Sequence, residues 1–214
     1  MGLSVGVGVL ADLLQNDEEG AEWFRESLAK VNAVLAEENL PTHSEPEALS
    51  PLESRSVLCG FPYSFLHYLR RAYARWKQNP SALITPCAEG EDPSNDPAID
   101  EESCMFDSHL LCHSDCSGFY IPIPFSDVLI DQKDQGRIEG GLLGSSYKLA
   151  EELTAMAPSL GIQIVDGRLP DDSADSIRSS VEAESELWIE RGVWLTLFEA
   201  ARLSIQHKSA ICFG

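Results

Sequence analysis

Residues 108–125 read Ser-His-Leu-Leu-Cys-His-Ser-Asp-Cys-Ser-Gly-Phe-Tyr-Ile-Pro-Ile-Pro-Phe, and the fold of this run decides what surrounds it. It is the densest apolar run in the middle of the chain, and it carries His109, Cys112, His113 and Cys116. On a helix those four side chains fall at i, i+3, i+4 and i+7, which is one face. Imidazole and thiolate on such a face suit a borderline metal such as zinc. A β-hairpin is the better reading, because Ser114, Asp115, Ser117 and Gly118 cluster between two apolar runs. His109 to His113 is then the first strand and Phe119 to Pro124 the second, a central hairpin near 109–124. Gly118 supplies the positive φ such a turn needs, and Asp115 and the serines bond its backbone. In the hairpin His109, Leu111 and His113 share one face while Leu110 and Cys112 share the other. The four ligands then diverge, and zinc becomes the alternative.

The same stretch holds the candidate catalytic groups. His113 as a base oriented by Asp115, with His109 nearby, is the expected set. A nucleophile triad is excluded from adjacent residues alone, because its members come together from separate elements. Cys112 and Cys116 are also candidates for a redox pair, although buried or idle thiols explain them as well.

Upstream lies an acidic loop, Glu89 to Glu102, with seven carboxylates and two prolines. Before it, Pro62 opens a helix over 62–78 whose apolar face is Phe65, Leu66, Leu69, Ala72, Tyr73 and Trp76. Its other face crowds Arg70, Arg71, Arg75 and Lys77, and the acidic loop that follows is expected to neutralise them within the molecule. Phe24, Leu28, Val31 and Leu35 repeat at +4, +3, +4, one buried stripe of a helix over 17–38 capped by Asn16 or Asp17. Leu3 to Val9 reads as a short strand, and 41–55 as a polar loop.

Downstream, 127–136 is polar and turn-like. Gly140 to Ser146 is glycine-rich and opens a helix over 145–157, but it lacks both the Walker and the Rossmann spacing, so phosphate binding is not expected. Gly161 to Gly167 reads as a strand closed by a turn. A polar helix follows from Pro170 to about Ala183. The helix over 186–207 is apolar round most of its circumference and must be covered on several sides. Ser209 to Phe213 is expected to return as a strand beside the central hairpin. The expected fold is therefore α+β: one predominantly helical domain over 1–214 with a small, mostly antiparallel sheet.

Charge sets the functional expectation. The chain has 35 acidic against 15 basic side chains, a formal net of −20. Such a surface repels nucleic acid and anionic membranes and attracts a basic protein. Cysteines at 59, 87, 104, 112, 116 and 212 show no paired spacing, Asp12 interrupts the first apolar run, and no stretch is long enough to span a bilayer. These features predict a soluble cytoplasmic protein without a cofactor. It is expected to be a non-catalytic binding or inhibitory, immunity-like protein for a basic partner, with no nucleic acid and no membrane among its partners. The alternative is a metal- or His-dependent enzyme centred on His109 to Cys116.

Overall fold

A computed structural model describes residues 2–58, 60–131 and 136–214 of the chain. The elements run β1 (Leu3–Val7), α1 (Val9–Asn16), α2 (Glu18–Glu37), β2 (Gly60–Phe61), α3 (Tyr63–Gln78), α4 (Pro97–Ser103), α5 (His109–Cys112), β3 (Gly118–Ile121), β4 (Leu129–Ile130), β5 (Leu142–Ser145), α6 (Ser146–Met156), α7 (Asp171–Glu182), α8 (Trp188–His207) and β6 (Ile211–Phe213). The architecture is α+β, as the sequence predicts. Part of the expected turn over 127–136, residues 132–135, lies outside the described residues.

The strands form a sheet in the order β2-β1-β6-β3-β5-β4. Every neighbouring pair is antiparallel except β3 with β5. Alternation along β3 divides the core. Phe119 and Ile121 face the stripe of α2, where Phe24, Leu28, Val31 and Leu35 are all buried. Tyr120 faces the other way, with Ile211 and Phe213 from β6, onto α3, α6 and α8. Helix α7 packs against α8. Gly144 lies opposite Tyr120 in the parallel pair, and a Cβ there would sit 2.3 Å from the tyrosine ring. Only glycine lets Tyr120 lie flat across β5.

Helix α8 carries the expected buried spine. Trp194 stacks on Phe198 with ring centroids 4.7 Å apart, and its indole N–H donates to the Leu153 carbonyl at 2.8 Å. Asp17 caps α2 by accepting the Gly20 N–H at 3.0 Å. The loop over 41–55 is a strap rather than a free loop. Buried Glu45 accepts from Ala210 at 2.8 Å and pairs with His43, while Asn32 and His43 exchange two further bonds.

The central hairpin is the main correction. Its second arm is strand β3, but its first arm, His109 to Cys112, is one turn of helix. Both edges of β3 are already taken, by β6 and by β5, so no slot remains for an arm from 109–113. Pro122 and Pro124 have no N–H to extend the ladder, and β3 stops at Ile121. The terminal strand β6 does join β3, as expected. Two other readings shift. Gly140 to Ser146 contributes strand β5 before Ser145 caps α6, and the expected strand at 161–167 shrinks to one bridge between Val165 and Arg168.

Candidate functional site

The histidine-rich turn is built from buried charge. Ser108 caps α5 by accepting the Leu111 N–H at 3.1 Å. Glu152, reaching over from α6, accepts the His109 and Leu110 N–H groups, both at 2.8 Å, and the Ser108 hydroxyl at 3.2 Å. At the other end the buried Arg70 guanidinium donates to the Leu110 carbonyl at 2.9 Å and to the His113 carbonyl. A carboxylate thus meets the positive end of a one-turn helix and a cation meets its negative end, the arrangement the peptide dipoles favour. Burial pushes the Glu152 carboxyl up to about 7, against the pull of its donors.

Both expected catalytic histidines are absorbed by this scaffold. Nδ1 of His109 accepts the Ser145 N–H at 2.9 Å, which leaves Nε2 to carry the proton and donate to the Ser126 carbonyl at 3.1 Å. His113 stacks on Tyr120 at 4.1 Å, and its nitrogens face the Ser114 and Phe119 carbonyls at 2.9 and 3.1 Å. Burial holds each imidazole down to about 4, in the neutral form. Asp115 does not orient His113; it pairs with His67 at 3.3 Å. Cys112 donates to the Ser103 carbonyl at 3.6 Å, and Cys116 sits exposed beside Ser114. Both thiols are free. No group of three or more His, Cys, Asp and Glu side chains placed to hold a metal ion occurs among the described residues.

The acidic side chains are arranged differently. The expected neutralisation of the basic helix takes place: Arg71 and Arg75 pair with Asp96 at 3.1 and 2.7 Å, and Lys77 with Glu102 and Asp107 at 3.0 and 2.6 Å. Arg70 is the exception, engaged by backbone instead. On α7, Asp171 and Asp175 are likewise paired, with Arg55 and Arg178.

The outward face of α1 and α2 keeps its charge. Asp12, Asp17, Glu18, Glu19, Glu22 and Glu26 are all exposed, and none makes an ion pair with a described residue. Asp12 and Asp17 bond only Asn16 and Gly20. Of the two cations on α2, Arg25 turns to Glu47 at 2.6 Å, and Lys30 lies one turn beyond Glu26 without an ion pair to a described residue. Glu18, Glu22 and Glu26 recur every four residues, so they line one edge of the helix about 6 Å apart along its axis. Trp23 stands among them, 50% exposed. The net charge foretold such a surface. The place where it stays unpaired depends on which carboxylates find cations across the fold, and periodicity carries no trace of that.

No described helix is long and apolar enough to cross a membrane. No curated protein and no solved structure matches the chain. A protein family described as "Putative DNA-mimic protein" matches residues 1–213, and the chain belongs to that family. Membership corrects the partner expected from charge alone. That expectation named any basic protein and left nucleic acid out. In a DNA-mimic family nucleic acid is the ligand being imitated, and the partner is a protein that recognises DNA.

Proposed function

We propose, from that membership, that the chain is a non-catalytic protein that offers the α1–α2 face to a DNA-binding protein in place of a DNA backbone. The carrying observation is the row of unpaired carboxylates on α2 with Trp23 among them. Phosphates on one DNA strand rise about 3.4 Å each, which helical winding stretches to about 7 Å between neighbours. Carboxylates one helical turn apart, at about 6 Å, come close to that repeat. A groove lined with Lys and Arg that receives phosphates would receive Glu18, Glu22 and Glu26 in the same way. Trp23 adds what a bare charge row lacks: a ring on which an arginine can stack, in a residue type that anchors interfaces.

The carboxylates also repel one another. Like charges at i, i+4 cost a helix a few tenths of a kcal/mol per pair. Glu22, with a carboxylate one turn to either side, bears both repulsions, and a row that keeps it fits a role in recognition. The inhibitory, immunity-like role takes a definite form in this reading: the protein occupies a DNA-binding surface and denies it to DNA. A cytoplasmic location suits such a target.

The test is elution from DNA. Source-cell extract is loaded on immobilised duplex DNA, and the column is washed with purified protein. The native chain elutes a defined DNA-binding protein, while a Glu18→Gln/Glu22→Gln/Glu26→Gln variant of native fold does not. Equal elution by both proteins would remove the α2 stripe from the account.

A further inference from the structure

On the far side of the sheet from α2, a cleft of about 820 Å³ opens between the strap at 51–55, the turn at Gly167 and the C-terminal half of α8. Small-ligand sites are typically of about 300–1,000 Å³. Its apolar wall is Ala150, Leu169, Phe198 and Leu203. Its charged lining departs from the acidic character of the chain: Arg55, Arg168 and Arg202 stand against Glu53 and Asp171.

Two of these arginines are fixed in place. Glu199 is fully buried, and it holds Arg55 Nη2 at 2.6 Å and Arg202 Nη2 at 2.8 Å. Arg55 also donates through Nε to Glu199 and through Nη1 to the Leu169 carbonyl and Asp171. Arg202 also donates through Nε to Glu199, through Nη1 to Gln206 and through Nη2 to the Glu53 carbonyl. A guanidinium carries five N–H donors, so each retains one without a partner, on Arg55 Nη2 and on Arg202 Nη1. Arg168 differs again. It sits on a rigid two-residue turn in which Asp166 and Gly167 both have positive φ, closed by reciprocal Val165–Arg168 bonds of 2.9 Å. Its exposed guanidinium makes no hydrogen bond or ion pair with a described residue.

We propose that this cleft binds a small amphipathic organic anion. The anionic head meets Arg168 and the remaining N–H donors of Arg55 and Arg202, and the apolar body lies against Phe198 and Leu203. Of the two carboxylates of the cleft, Asp171 is already engaged by Arg55, and the three guanidiniums outnumber it and the exposed Glu53. The site is separate from the α1–α2 face and stands without the DNA-mimic reading.

The probe is anilinonaphthalene sulfonate, an apolar dye with one anionic head, titrated by fluorescence into the native chain at neutral pH. The native protein binds it saturably. Arg168→Glu, on an exposed turn outside the core, weakens binding by about tenfold or more, the usual loss when a charge-assisted bond is replaced by repulsion. Ala150→Trp fills the apolar wall and also weakens binding, while the α2 glutamine variant binds as the native chain does. Absence of binding by the native protein, or binding unchanged in Arg168→Glu, overturns the proposal.

Discussion

Replacing Glu152 by alanine should unclamp α5 and cost the fold about 2–4 kcal/mol. The figure comes from what the carboxylate holds. It is buried, and it is the acceptor for the His109 and Leu110 N–H groups at 2.8 Å and for the Ser108 hydroxyl. A buried donor left without a partner costs about 1–3 kcal/mol, and two backbone donors lose theirs together. Part of this is returned, because the variant no longer desolvates a carboxylate, the same penalty that pushes Glu152 up to about 7. The arginine at the opposite end of α5 gains nothing in exchange. Urea unfolding followed by tryptophan fluorescence reads the loss well, since Trp194 donates to the carbonyl of Leu153, the residue after Glu152. Glu152→Gln keeps one acceptor oxygen and should lose about half as much as the alanine variant. A loss below about 1 kcal/mol for Glu152→Ala would show that solvent or a shifted backbone satisfies α5, and the clamp would be refuted.

Phe198→Ala, which removes the partner stacked on Trp194, should cost about 3–5 kcal/mol by the same unfolding assay. The glutamine substitutions at Glu18, Glu22 and Glu26 should leave stability within about 0.5 kcal/mol of the native chain, because the two repulsive pairs removed are offset by the loss of Glu18 from the positive end of α2 and of Glu26 one turn before Lys30; a loss above about 1 kcal/mol would mean the stripe supports the fold. Acidification should destabilise the protein. His109 and His113 are held down to about 4 from 6.5, so the unfolded chain takes up protons first, and their contribution is complete above pH 6.5 and lost as pH falls toward 4. Glu152, raised from 4.5 to about 7, works the other way over part of that range, but one carboxyl is set against two imidazoles. Stability that rose between pH 6.5 and pH 4 would contradict the buried neutral histidines.

Much of the fold was legible because it is local. The stripe Phe24, Leu28, Val31, Leu35 needs only its own spacing to declare a helix, and Asp17 its own side chain to declare a cap. The length and apolarity of α8 foretold a helix covered on several sides. Helix α5 was not legible, because its determinants are remote: Glu152 and Arg70 lie about forty residues to either side, and no window joins them. Gly144 and Ser145 misled for a related reason. They look like loop residues until Tyr120 is laid across the glycine. The acidic character of the surface was plain from composition, but the unpaired patch on α2 appears only after Asp96, Glu102 and Asp171 have taken their cations. Charge alone also stopped at a basic partner, one step short of DNA as the ligand imitated.

The central claim is tested most directly by competition with DNA for one surface. The protein eluted from immobilised duplex is bound to a fluorescently labelled duplex, and this chain is titrated in while anisotropy is followed. The account predicts complete release of the duplex with no ternary complex, and a competition that weakens steeply as salt rises from low to physiological strength. It also predicts that the Glu18→Gln/Glu22→Gln/Glu26→Gln variant releases the duplex only at far higher concentration. A stable ternary complex of duplex, target and this chain would contradict it, because a mimic and the DNA it imitates cannot occupy one site together.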